Sequence, residues 1–401
     1  MKGEQKWSMV SQIFAGYLLV IATTGFARLA YGVLMPYIQS DLKINYTQAG
    51  LLATIISLGF LIISPISGIL AIKFGMKKVI MAGAIIVTSC FFLLLITKSF
   101  YVYMLIMFFC GAGSALAFTP LMSLLVVQFP KKKGLVLGVL LSGVGSGMLL
   151  SGLMTTYLIK YFQLLEWRAI WLIFAGISLM VSLLAWFVLK EPVSIENTKG
   201  NANHSITNVY KNWKIIRIGL IYFLIGVGYL IPILFQTSYM LDSGINDKVA
   251  GTLFSISGLF TIIGGPVWGL VSDKVGRKLS ILVGLTFCIL AGIIPITDHH
   301  LVGFAASAIL FGFSIGGLMV LIQAMAAERT LPYFVPAVLG FVTIFYAIGQ
   351  LVGPLLTGVI IEKLGGIGYA YKFATLIFIG ALCIVCFVNE REKVESAQLK
   401  S

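Results

Sequence analysis

Arg28 is the side chain whose chemistry most needs explaining. It stands in a long apolar run, roughly Met9 to Met35, and is the one ionised residue there. Every other charged residue falls in or beside an expected connection. A charge at bilayer depth costs about 2.5–3.5 kcal/mol on insertion scales, so it is expected to serve function. No helix-borne acid stands near it in the sequence. Its counter-charge is therefore expected from outside, as an anionic small molecule. A guanidinium presents a planar fork of donors that fits a carboxylate with two hydrogen bonds. Snorkelling is the competing use. At ~1.5 Å rise per residue, Arg28 lies about 12 Å before Pro36, and the side chain could reach part of the way to the headgroups.

Residues three and four apart share a helix face, so Thr24, Arg28 and Tyr31 are expected on one stripe. Tyr222, Tyr229 and Gln236, seven apart, form a second candidate stripe, and Thr343, Tyr346 and Gln350 a third. Tyrosines also serve interface belts and packing. No Asp or Glu falls inside an expected helix. A coupling proton would therefore ride on the substrate or use Glu328, at the end of the tenth apolar segment. His204, His299 and His300 lie in expected loops and read as solvated. The five cysteines all sit in apolar runs and read as small packing residues. No nucleophile–base pair, phosphate-binding loop or metal constellation is visible, so neither an enzyme nor a cofactor is expected.

The elements that must position these residues are membrane helices. The 401-residue chain is 59% hydrophobic and 10% charged, with a mean hydropathy of +1.03. Twelve apolar segments recur from 10–35 to 370–388, each near the ~20 residues that cross a bilayer. Backbone polar groups in lipid must be satisfied internally, so these are helices. The first segment is too long for a cleaved signal and is expected to stay as helix one. The polar stretch 190–214 reads as a linker. The net charge of +14 does not imply nucleic acid. Most lysines and arginines fall in the two tails, the linker and the connections after segments two, four, eight and ten, so both termini are expected to be cytoplasmic.

The chain also repeats itself. Ser64–Lys78 echoes Gly265–Lys278: Pro65 matches Pro266, Gly68 Gly269, Lys73 Lys274, Gly75 Gly276 and Lys77 Lys278. The constant offset of 201 residues also pairs Gly25 with Gly226, Gly50 with Gly251 and Gly83 with Gly284. Two parallel six-helix repeats around a mid-membrane site are a transporter architecture. Gly143 with Gly147, and Gly349 with Gly353, have small-xxx-small spacing. They suit either sliding contacts between the halves or static packing.

These residues resemble the major facilitator superfamily, whose connections after helices two and eight carry approximately G-x-L-x-D-R-x-G-R-K. The stretch Gly269–Lys278 matches well, with Asp273, Lys274, Gly276, Arg277 and Lys278 in place. The first copy has Ile72 where the acid belongs and Met76 where an arginine belongs. Pro36–Gly50 and Glu166–Arg168 also look like family segments. The resemblance implies an all-α membrane protein of twelve transmembrane helices in two six-helix pseudo-symmetric bundles. Its expected parts are 1–189, a cytoplasmic linker 190–214, and 215–401. It implies that the Asp273 and Arg277 cluster latches the halves on the cytoplasmic side, and Ile72 implies that the first-half latch is missing. The antiporter motif and the helix-four arginine of the family are absent.

The place of Arg28 before Pro36 resembles the organic-phosphate and organic-anion branches. The repeat puts Tyr229 where organic-phosphate transporters have a second arginine. One arginine and one tyrosine suit a singly charged organic acid better than a dianionic ester. The expectation is a secondary transporter of a small organic anion in the plasma membrane, working by alternating access and as a monomer. The alternatives are an exporter of neutral or weakly acidic compounds, with Arg28 structural, and a receptor that binds without translocating.

Overall fold

The structure is a computed structural model that describes residues 2–129, 132–159, 167–191, 212–330 and 335–388. Among these, twelve helices are long and apolar enough to cross a membrane. They are α1 Met9–Leu42, α2 Tyr46–Phe74, α3 Met76–Ile96, α4 Phe100–Gln128, α5 Leu135–Leu158 and α6 Arg168–Val188, followed by α7 Trp213–Asp242, α8 Asp247–Val275, α9 Arg277–Thr297, α10 Leu301–Ala327, α11 Val338–Leu364 and α12 Gly368–Cys386. Most of the expected linker lies outside the described residues, as do Glu166, His204 and the tail beyond 388.

The repeat reappears in backbone chemistry. Asn45 caps α2, accepting from Gln48 N at 2.8 Å, and the Gln48 side chain answers on Asn45 N at 3.0 Å. Its counterpart Asn246 caps α8, accepting from Val249 N at 3.1 Å. Such caps satisfy amides that the first turn leaves open. Just before them, Lys43 (φ 51°) and Gly244 (φ 81°) turn the chain through the left-handed region. After α2 and α8, Gly75 (φ 94°) and Gly276 (φ 96°) do the same, a conformation glycine adopts without steric cost. Asp41 and Arg168, from the two family-like segments, pair at 2.5 Å.

Glycines set how closely the helices approach. A Cβ at Gly25 would lie 2.6 Å from Gly147 Cα, so α1 and α5 touch backbone to backbone. Gly349 and Gly353 press likewise on Phe223 and Val227 of α7. The small-xxx-small faces are thus packing surfaces inside each group of six helices. Sliding contacts between the groups are not their use here. Other glycines cross that boundary. Gly32 meets the Ile233 carbonyl, Gly50 the Pro354 carbonyl, and Gly358 the Tyr46 carbonyl. Gly145 and Gly152 of α5 meet Gly258 and Gly251 of α8.

All of these crossing contacts lie at or beyond mid-helix, on the side away from the termini. Thr54 donates to the Leu351 carbonyl there at 2.9 Å, and Tyr46 and Tyr37 reach Asp242 and Asp247 at 3.3 and 3.4 Å. On the terminus-bearing side the same helices stand apart. Gly68, Gly138, Gly269 and Gly340 have nothing within 4 Å of a built Cβ. Gly68, Gly269 and Gly340 each stand eighteen residues, five turns of 3.6, from Gly50, Gly251 and Gly358. By that count they fall on the helix faces that Gly50, Gly251 and Gly358 turn to the opposing group, and Gly138 falls in line with Gly145 and Gly152. The two groups of six are joined at the far end and parted at the terminus-bearing end.

Candidate functional site

The first helix changes pitch where Arg28 stands. Ile21–Leu29 is π-helical between two α-helical stretches. Such i→i+5 segments are rare and frequently mark functional sites. Thr23 donates to the Leu19 carbonyl at 2.7 Å, and Thr24 lies 3.3 Å from Ser114 on α4. The widened turn carries Thr24 and Arg28 into a cavity between the two groups of six helices.

That cavity is narrow: about 390 Å³ of non-atom space opens there, part of it continuous with the surroundings. Its walls come from α1 (Thr24, Arg28), α2 (Ala53, Ser57), α5 (Val144), α7 (Tyr229, Leu234) and α11 (Gln350). Arg28 is the one ion in the lining. Its guanidinium lies 4.2 Å over the Phe60 ring, a cation–π contact. One Nη donates to Gln350 Oε1 at 3.0 Å. Gln350 Nε2 donates to the Tyr346 hydroxyl at 3.0 Å, and that hydroxyl faces Met319 Sδ at 3.7 Å. Tyr346 stacks on Tyr222 at 4.5 Å and tilts against Tyr229 at 5.9 Å. Gln323 donates to the Tyr222 hydroxyl at 3.3 Å. The result is one cation on α1 facing neutral amide and phenol groups on α7, α10 and α11. The repeat pair Arg28 and Tyr229 does line one cavity.

Four expected lining residues, Tyr31, Tyr222, Gln236 and Tyr346, do not border the cavity. Tyr31 is fully buried and donates to the Ala49 carbonyl at 2.9 Å. The i+3 spacing from Arg28 assumed an unbroken α-helix, and the π segment shifts the register between them. Gln236 shares its angular face with Tyr229 but lies two turns further along, at the closed end. There it accepts from Ser257 on α8 at 3.4 Å. Tyr222 supports the aromatic wall through Tyr346. Phe60, Ser57, Ser114 and Gln323 were missed, since phenylalanine, serine and a lone glutamine on apolar helices give no signal by spacing alone. His299 is exposed, as expected, and its ring also packs edge-on against Tyr239. Among the described residues no cluster of His, Cys, Asp and Glu is placed to hold a metal.

The loop motif forms a second cluster on the terminus-bearing side. Arg277 pairs with Asp273 at 2.6 Å and with Glu328 at 3.1 Å, and donates to Ser272. Lys278 donates to the Cys386 carbonyl at 2.8 Å. Lys274 lies exposed in the last turn of α8, and Gly276 supplies the turn. All these bonds stay within the last six helices. Glu328 is engaged here, at the end of α10, so it is not placed to exchange a proton in the cavity. The first half has its own anion despite Ile72. Glu191, just after α6, accepts from Met76 N at 2.6 Å and Lys77 N at 2.9 Å. A carboxylate on the open amides of an N-terminal turn is favoured by the helix dipole.

Comparison with known proteins bears on the whole chain. Residues 20–386 match a family described as "Uncharacterised MFS-type transporter YbfB". The chain is 27% identical over 309 residues to "Monocarboxylate transporter 13" of Bos taurus, covering 75% of this chain and 71% of that protein. It is 23% identical over 384 residues to "Agnestins efflux protein AgnL12" of Paecilomyces divaricatus, covering 93% and 86%. Among solved structures, nucleoside transporter NupG superposes with a TM-score of 0.74 at 14% identity, covering 95% of this chain and 97% of that chain. At that identity the likeness speaks to fold.

Proposed function

Since the chain belongs to the MFS-type transporters of the major facilitator superfamily, we propose that its substrate is a small, singly charged organic acid of the monocarboxylate kind. It crosses by alternating access with Arg28 as counter-ion. The observation that carries this is the cavity's charge: one guanidinium, held by an amide, with no acid among the lining residues. A carboxylate entering the cavity meets a cation already desolvated and oriented. The phenol of Tyr229, also in the lining, adds a donor beside it. The similarity to a monocarboxylate transporter supports the same substrate class.

The halves are 1–189 and 215–401, joined by a cytoplasmic linker at 190–214. Both termini face the cytoplasm, and the protein works in the plasma membrane as a monomer. Any coupled proton travels on the substrate, since no lining group is an acid. The gate on the cytoplasmic side is built from Gly269, Asp273, Lys274, Gly276, Arg277 and Lys278, with Glu191 serving the first half.

Export of neutral or weakly acidic compounds is the second reading. The similarity to a fungal efflux protein favours it, as do the aliphatic residues that share the cavity wall. Thermal unfolding of the detergent-purified protein against a ligand panel separates the two. Ligand at 100 times its dissociation constant adds about 2.7 kcal/mol. Anion transport predicts that carboxylates raise the midpoint and that Arg28→Gln cuts the rise by about half or more. Equal shifts of both proteins by lipophilic neutral compounds would move the assignment to export.

A further inference from the structure

Gln350 occupies the position where an internal counter-ion for Arg28 would stand. Its Oε1 accepts from the guanidinium at 3.0 Å while its Nε2 is committed to the Tyr346 hydroxyl. Tyr346 is in turn packed between Tyr222 and Tyr229 and directed at Met319. This chain of bonds fixes which end of the amide meets the arginine. Gln350 is 5% exposed, so the contact is screened from water. An amide oxygen orients a guanidinium but leaves its unit charge in place. A guanidinium has five N–H donors, and Gln350 takes one. Phe60 covers one face of the guanidinium, and Arg28 borders the cavity. The bond also joins the two groups of six helices, since Arg28 is on α1 and Gln350 on α11.

We infer that Gln350 is the residue that sets the charge of the occupant: by holding Arg28 without neutralising it, it makes an anion the required ligand. The inference rests on the proposed anion-transport reading and goes beyond it by assigning selectivity to one neutral side chain. A glutamate at this position would place a carboxylate within hydrogen-bond reach of Arg28. The site would then be neutral when empty, and an entering anion would meet a like charge. A methionine at the same position would keep the site's charge and remove only the acceptor.

The test measures binding by the purified full-length chain of benzoate against benzamide, and of lactate against lactamide. The native protein should prefer each acid over its amide at least tenfold. Gln350→Glu should lose that preference, with carboxylate affinity falling tenfold or more. Gln350→Met should keep the preference for acids, with weaker affinity overall. A Gln350→Glu protein that still prefers carboxylates as the native protein does would overturn the inference. Loss of preference in Gln350→Met would also overturn it, because the amide would then be a direct substrate contact; this arm stands even if the glutamate variant does not fold. A native protein with no preference for either acid would overturn the anion-transport reading itself, and this inference with it.

Discussion

At the scale of single residues, the account turns on Arg28 and the neutrality of what surrounds it. Hydrogen bonds to a charged group are worth about 1.5–3 kcal/mol, so Arg28→Gln should weaken carboxylate binding roughly 10-fold to 150-fold. Arg28→Lys keeps the charge but not the fork, and should lose less. Titration calorimetry of the three proteins with lactate checks the order. Glu191 is a second residue with a separable job. Removing its two bonds to the start of α3 should cost about 0.5–2 kcal/mol, the range for lost helix caps. Glu191→Gln should therefore lower the unfolding midpoint without changing ligand affinity. Arg28 was legible in the sequence because a charge in an apolar run stands out. Gln350 was seen only as a candidate, since its contact spans 322 positions. Glu191 escaped notice because the motif that lacks its acid at Ile72 lies before α3, far from it in the chain.

At the scale of elements, two devices shape the site: the π segment of α1 and the glycine seams of α2, α5, α8 and α11. The π segment is why Thr24 stayed beside Arg28 while Tyr31 left the stripe, an outcome invisible to any count that assumes 3.6 residues per turn. The seams are why small-xxx-small spacing left two readings open. It marks close approach but not the neighbour approached, and Gly147 and Gly349 chose helices of their own half. The open glycines make a sharper statement. Gly68 and Gly269 face empty space here, so leucine at either position should leave stability within roughly 0.5 kcal/mol. The same substitutions should block transport, because closing the terminus-bearing side brings those faces against α11 and α5. Leucine at Gly50, already against the Pro354 carbonyl, should instead destabilise the fold by about 1–3 kcal/mol through overpacking. Midpoints and uptake rates for the three variants decide between a closing seam and an idle surface.

At the scale of the whole molecule, the architecture was the most legible feature. Twelve apolar runs and a 201-residue repeat specify it, and the repeat persists down to Asn45 and Asn246 as helix caps and Gly75 and Gly276 as turns. Which end is closed was not legible, because one sequence serves both states of a carrier. Alternating access predicts that the closed end exchanges. In a background lacking the five native cysteines, cysteines replacing Gly138 and Gly269 should cross-link slowly in the empty carrier. Cross-linking should accelerate when substrate drives turnover. A rate indifferent to substrate would mean that the parted end does not close.

The most direct test of the central claim is uptake of labelled lactate or benzoate into proteoliposomes containing the native protein, Arg28→Lys or Arg28→Gln. The account predicts saturable uptake by the native protein, reduced uptake with lysine, and none above protein-free vesicles with glutamine. It predicts competition by other small carboxylates and not by their amides. Undiminished uptake by Arg28→Gln would contradict it, and would return Arg28 to a structural role.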